Sequence, residues 1–231
     1  MGASSFEIAL LAATENEAKQ LMESLLKHCN TVLPVYGSRC GKHRFTALSQ
    51  EQICTEQRFY ELHWLCSSVD SSVPTEQLSE LADIIHIHYF TPARPHLHTS
   101  HRTYLWRNQL ELTEFWASLY LARELSSIPG LNWSSYPSWS LESCIGQATA
   151  GWGSTHKEAV SSLLSQIGHD TRACALQALL VIESNHSLTF GDYVDVLEQI
   201  DLVIQCDVIP TGWLADEYSG YGLKLLLFGP A

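Results

Sequence analysis

The chain has 231 residues, 45% of them hydrophobic, which is enough for one large domain or two small ones with their own cores. Twenty-five acidic against 13 basic residues give a formal charge of −12, a balance that repels phosphate backbones and excludes a direct nucleic-acid binder. No stretch reaches the roughly 20 apolar residues of a membrane helix, and Met1-Gly2-Ala3-Ser4-Ser5 is not a basic segment leading into an apolar core, so a soluble, cytoplasmic protein without a membrane partner is expected.

In chain order, Phe6 to Ala12 (FEIALLA) has the length and composition of a strand. It precedes Glu15 to His28, where Ala18, Leu21, Met22, Leu25 and Leu26 fall at helical spacing. Thr31 to Tyr36 (TVLPVY) reads as a second strand, placed at an edge because Pro34 has no amide to give a ladder. Residues 41–73 show no clear period. Glu76 to Leu81 forms a short helix in this reading, Ile84 to Phe90 (IIHIHYF) a strand, and Arg107 to Leu125 a helix with Leu110, Phe115, Leu119, Leu121 and Leu125 on its apolar side. Ser126 to Ser143, rich in Ser, Pro and Trp, interrupts helices and divides the chain into 1–125, a connecting segment 126–143, and 144–231.

The second half is more regular. Cys144 to Trp152 reads as a strand of small residues, and Thr155-His156-Lys157-Glu158 has the capping-box form. The stripe Ala159, Val160, Leu163, Leu164 and Ile167 marks a helix that Gly168 is placed to end in a left-handed conformation. Leu176 to Ile182 is a continuous apolar run, as expected of a strand covered on both faces. Thr189 caps a second helix with Phe190, Tyr193, Val194, Leu197 and Ile200 as its core stripe. Leu202 to Ile209 and Tyr221 to Phe228 complete the set as strands, separated by an acidic loop from Pro210 to Gly220. Strand, helix, strand, helix, strand, strand argues for an α/β fold in which helices pack on a mixed sheet.

This order, with these residues, resembles the C-terminal domain of the FtsZ/tubulin-like family over about residues 144–229. Gly146-Gln147-Ala148-Thr149-Ala150-Gly151-Trp152-Gly153 with its following helix, Ser187-Leu188-Thr189-Phe190 entering the next one, and the pair Leu202 to Ile209 and Leu223 to Gly229 flanking Asp216-Glu217 carry the likeness. The family implies GTP held by a glycine-rich loop, GGGTG(S/T)G, whose backbone amides approach the phosphates closely. The sequence contains no such loop. Leu78 to Phe90 is similar to the strand that leads to it, yet it runs into Thr91-Pro92-Ala93-Arg94-Pro95, where two prolines remove amide donors. Ala12-Ala13-Thr14-Glu15-Asn16-Glu17 stands in the place of the first phosphate turn and brings two glutamates. The resemblance therefore implies a degenerate GTPase without a nucleotide cofactor: a non-catalytic interaction protein of the cell-division and cytoskeleton type, acting by self-association or by binding an FtsZ/tubulin-like filament. Asp207, Trp213, Asp216 and Glu217 are its candidate interface residues.

One further constellation stands apart from the resemblance. His86, His88, His96, His98 and His101 fall within sixteen residues, and in a strand His86 and His88 face the same side. Two neutral imidazoles so placed can share a zinc ion, so His86, His88, His96 and His98 are candidate ligands, with Glu80 or Asp83 to complete the set and metal-activated hydrolysis as the alternative activity. Seven cysteines without a C-x-x-C pair fit reduced thiols better than a disulfide framework or a zinc knuckle.

Overall fold

A computed structural model describes residues 6–32, 43–53, 57–66, 75–93, 95, 101–125, 128, 131, 133, 136, 144–168 and 174–230. These form nine strands, five helices and one 3-10 turn. The chain divides into two compact units, the first comprising residues 1–117, 137–145 and 231 and the second residues 118–136 and 146–230.

The first unit contains β1 (Phe6–Ala12), α1 (Glu15–Val32), β2 (His43–Ser49), β3 (Phe59–Cys66), α2 (Thr75–Leu81), β4 (Ala82–Phe90), β5 (Arg102–Trp106) and the start of α3 (Gln109–Leu125). Its strands run in the order β2-β1-β3-β4-β5, every neighbouring pair parallel. Parallel strands need crossovers; α1 supplies the one between β1 and β2, and α2 the one between β3 and β4. α1 buries Ala18, Leu21, Leu25 and Cys29, the stripe expected from its spacing. Thr31 closes this helix and does not open a strand; residues 33–36 of that expected strand lie outside the described set.

Because side chains alternate along a strand, the two faces of this sheet have different chemistry. Ala9, Leu11, Leu62, Trp64, Cys66, Ile85, Ile87 and Tyr89 pack with Leu78 and Leu81 of α2 into an apolar core. The opposite face carries Glu61 and His63 from β3, His86 and His88 from β4, and Arg102, Tyr104 and Trp106 from β5. β2 and β3 both arise from residues 41–73, where the sequence shows no clear period. In α3, Phe115, Leu119 and Leu121 are buried as expected, while Leu110 is exposed.

The second unit contains the rest of α3, β6 (Cys144–Gly153, from Gly146 onward), α4 (His156–Ser165), β7 (Gln177–Ser184), α5 (Phe190–Ile204), β8 (Asp207–Leu214) and β9 (Tyr221–Pro230). Its order is β6-β9-β7-β8, with β7 parallel to β8 and antiparallel to β9, so this sheet is mixed as expected. Ala159, Val160 and Leu163 of α4 and Val196, Ile200 and Ile204 of α5 bury against Ala178, Leu180, Ile182, Leu223, Leu225 and Leu227. β6 is made of small residues for a steric reason: a Cβ on Gly151 would overlap the backbone of Ala159 and Leu163 in α4.

Several local readings change. α4 ends at Ser165 with Gln166 in the right-handed region, so Gly168 is not its left-handed stop. Phe190 is exposed, and the core stripe of α5 runs through Val196, Ile200 and Ile204, with Tyr193 and Leu197 partly buried beside it. Leu202 to Ile204 is the last turn of α5, ended by Gln205 at φ 55°, and the following strand therefore starts at Asp207 and includes Pro210 to Leu214. A short apolar run fits a buried helix turn as well as a strand, so the sequence alone does not separate the two here. Pro210 is tolerated because β8 is the edge strand of this unit, and its carbonyl accepts from the Leu131 amide. Among the described residues no helix is long and apolar enough to cross a membrane.

Candidate functional site

The polar face of the first sheet is the most unusual chemical environment in the chain. Glu61, His63, His86 and His88 are each at most 2% exposed. The Nε2 atoms of His63 and His86 lie 3.3 and 2.9 Å from Oε1 of Glu61. Nδ1 of His63 is 2.9 Å from Nε2 of His88, and Nδ1 of His86 is 2.8 Å from the Tyr104 hydroxyl. The indole N–H of Trp106 donates to Nδ1 of His88 across 2.9 Å. Trp116 of α3 closes the layer, its ring 4.5 Å from those of both His63 and His86 and steeply inclined to them.

One donor of fixed direction orders the whole chain. An indole N–H can only donate, so Nδ1 of His88 is an acceptor, and a neutral His88 carries its proton on Nε2. That proton is donated to Nδ1 of His63, which places the proton of a neutral His63 on Nε2, pointing at the Glu61 carboxylate. His86 brings its Nε2 to 2.9 Å from the same oxygen without hydrogen-bond geometry, and shares one hydrogen bond with the Tyr104 hydroxyl at Nδ1. The series therefore runs Trp106 to His88 to His63 to Glu61, with the His86–Tyr104 pair beside it. Burial, then the nearby His63 and Arg102, pushes the pKa of His86 down to about 3 against the pull of Glu61. Burial, then His63 and His86, holds His88 well below the ordinary histidine value. Arg102, which pairs in register with His86, adds a positive charge to the layer that holds the carboxylate.

Glu61, His63 and His86 also bring ligand-type atoms within 4.8 Å of one another. A zinc ion takes lone pairs, however, and this order turns the His63 N–H toward the carboxylate. Moving the His63 proton to Nδ1 would set it against the His88 N–H, and shifting His88 in turn would set it against Trp106. The proton that this series sets on His63 Nε2 speaks against a zinc ion there, and burial leaves no open position for the water of a metal hydrolase. Of the sequence candidates, His86 and His88 are in this layer, whereas His96 and His98 lie outside the described residues. Asp83 is exposed and paired with Arg58 at 2.6 Å, and Glu80 is exposed, so neither completes a shell. Glu61 and His63 were missed, although an E-x-H step inside the apolar run Phe59–Cys66 is a legible sign of a polar, buried face.

The four candidate interface residues separate. Asp207, Asp216 and Glu217 are exposed, and Asp216 lies 3.6 Å from His186. Trp213 is buried and donates its indole N–H to Ser118, so it is a core residue and not a contact for a partner. Ser118 in turn donates to Glu183, which also accepts from Tyr218 and Lys224.

The place where the resemblance implies a nucleotide can be tested at the start of α1. There the Thr14 amide donates to the Glu17 carboxylate at 3.1 Å, and the Glu17 amide donates to the Thr14 hydroxyl at 3.3 Å. A helix N-terminus binds phosphate through free amides and a positive dipole end. Here the Glu17 carboxylate already takes the Thr14 amide, and Glu15 stands beside it in the first turn, so this turn meets a phosphate with one donor fewer and two negative charges.

No protein-family model and no curated protein matches the sequence. Comparison of structures is informative. FtsZ from M. jannaschii, solved as an empty dimer, aligns over 98% of this chain and 88% of its own with a TM-score of 0.56 and 12% identity. A point mutant of the same FtsZ aligns over 98% and 91% with a TM-score of 0.53 and 10% identity. CetZ from Methanosaeta thermophila aligns over 96% and 86% with a TM-score of 0.59 and 11% identity. The fold is FtsZ/tubulin-like, and the likeness extends beyond residues 144–229 to nearly the whole chain.

Proposed function

We propose that this chain is an FtsZ/tubulin-like interaction protein that neither binds nor hydrolyses GTP. It acts in the cytoplasm by associating with copies of itself or with a filament of the same fold, in cell division or a related cytoskeletal task. The observation that carries this reading is the carboxylate of Glu17 on the Thr14 amide at the head of α1, together with a sequence that has no glycine-rich phosphate loop. Support for an interaction role comes from the surface. Among the described residues five large apolar side chains are strongly exposed, and four of them, Trp152, Leu176, Phe190 and Leu202, belong to the second unit. Exposed large apolar side chains suit a protein contact.

Light scattering over a concentration series, with and without GTP and magnesium, tests this. The expected result is a mass that grows with concentration and is indifferent to nucleotide. A constant monomer mass would remove self-association and leave only a filament partner, to be tried by co-sedimentation with an FtsZ polymer. A GTP-dependent rise in melting temperature would overturn the non-nucleotide reading altogether.

A further inference from the structure

We propose that the outer stripe of the last two turns of α5 is a docking face for a basic amphipathic helix of a partner protein, which lays an apolar side chain on Leu202 and Lys or Arg beside Glu198, Asp201 and Asp207. The proposal rests on the interaction reading above and names the chemistry of the partner. α5 turns Val196, Ile200 and Ile204 into the core of its unit. Glu198, Asp201, Leu202 and Gln205 are all exposed, and steps of three, four and seven residues from Glu198 align them along one side of the helix. Leu202, in the middle of that side, is 75% exposed.

The charges on this helix are one-sided. α5 carries Asp192, Asp195, Glu198 and Asp201 and no Lys or Arg. At its head the two aspartates suit the positive end of the helix dipole, and they have a partner: Nδ1 of His156 lies 3.2 Å from Asp192 and its Nε2 2.7 Å from Asp195. At the other end Asp201 stands by the negative end of the dipole with no basic residue in the last turn, and Asp207 follows at the start of β8. Among the described residues the ion pairs of this unit join His156, His186 and Lys224 to other carboxylates, and none reaches Glu198, Asp201 or Asp207. Their field acts on Cys206, whose thiol is pushed up by burial and then by Asp207 and Asp201. Uncompensated carboxylates at a helix C-terminus and a bare leucine each cost stability, and a chain sets local preference against its own fold chiefly where it has a function. Cations from outside relieve the first cost and apolar cover relieves the second. A helix meets both demands, because its i, i+3 and i+4 rows match the stripe on α5. A second copy does not, since its same face brings the same acids and its net charge is −12.

The probe is a synthetic amphipathic helix of Lys and Leu, titrated into the intact chain and followed by backbone amide NMR. Shifts should centre on residues 198–207. Leu202→Ser should weaken binding by roughly 10-fold or more, as expected of an apolar anchor. Glu198→Gln combined with Asp201→Asn should weaken it by a similar factor at low salt and by little at high salt. Both variants should keep or raise the urea midpoint, because these side chains are exposed and serve no core contact; binding lost through misfolding would lower it. A peptide with Ser in place of Leu should bind about 10-fold more weakly. Shifts centred elsewhere, equal binding of that peptide or of one made from Glu and Leu, or variants that bind as the wild type does would overturn the proposal. So would a Leu202→Ser chain that no longer grows in mass with concentration yet binds the peptide unchanged, since the occupant is then a second copy and the association reading stands. A constant monomer mass together with peptide binding at residues 198–207 would support the proposal while removing self-association.

Discussion

Glu183 and Lys224, on the antiparallel pair β7 and β9, bring Oε1 and Nζ to 2.6 Å with side chains only 8% and 11% exposed. Such a pair gives up much of its hydration, and its attraction returns that cost only if the remaining polar atoms are also bonded. They are: the Ser118 and Tyr218 hydroxyls donate to the same carboxylate, and Trp213 fixes Ser118. Burial alone would raise the pKa of Glu183, yet Lys224 and the two hydroxyls outweigh it and hold the group below the ordinary carboxylate value.

Lys224→Met should therefore cost about 3–5 kcal/mol, because it leaves the carboxylate buried without a cation. Glu183→Gln combined with Lys224→Met should recover a large part of that loss, since a neutral amide can still meet the two hydroxyls. Urea denaturation of the two variants and the wild type checks the pair. Equal losses in both would show that the ammonium contributes packing and not charge.

The same carboxylate sets an acid limit for the second unit. A group whose folded pKa is depressed contributes stability that is present above its unfolded value, about 4.3, and is lost as pH falls through the folded value. The first unit loses stability earlier, from about pH 6.5 downward, because His86 and His88 are depressed histidines and must charge on opening. Residue-resolved exchange through both windows should give two separate acid transitions. One transition common to α3, β3 and β7 would show that the two units open together.

Gly151→Ala tests why β6 is built of small residues. The added methyl would collide with the backbone of Ala159 and Leu163, which cannot retreat as a flexible side chain can. A loss of about 1–3 kcal/mol is expected, as for other overpacked sites. Thr189→Ala, which removes the hydroxyl that accepts from the Asp192 amide at the head of α5, should cost about 1 kcal/mol. Thermal melts that ranked these two in the opposite order would mean α4 can move off β6 at little cost.

How much was legible follows from where each segment's free energy comes from. α4, β7 and α5 were readable because one local signal agreed with another: the cap at Thr155 or Thr189 stands ahead of a helical stripe, and Leu179 to Ile182 is buried on both faces. β2 and β3 were not, because their pairing partners are distant in sequence and β3 alternates Glu61 and His63 with Leu62 and Trp64, a pattern that resembles neither an exposed nor a fully apolar strand. The histidine pair on β4 was visible as H-x-H, but its meaning was fixed by Glu61, His63, Tyr104 and Trp106, which only the parallel pairing of β3, β4 and β5 brings to it. In the sequence Trp213 falls in an acidic segment, where an indole looks exposed. It is buried because that segment is the edge strand β8 and its N–H is needed by Ser118.

If association proceeds through the second unit, its exposed apolar residues should control it without controlling the fold. Trp152 is 59% exposed and Phe190 76%, and neither belongs to the buried core of its unit. Trp152→Ser and Phe190→Ser should each leave urea stability within about 0.5 kcal/mol of wild type, as is usual for exposed positions. Removing an aromatic anchor from an interface typically costs 2 kcal/mol or more, so the concentration at which mass doubles should rise by roughly 30-fold. Replacing Asp216 and Glu217 by Asn and Gln at the exposed turn should have a smaller effect that vanishes at high salt, because charges at a rim are screened. Unchanged association in both aromatic variants would move the contact away from these two side chains and leave Leu176, Leu202 and Leu110, the other strongly exposed large apolar residues among those described, as the next positions to substitute.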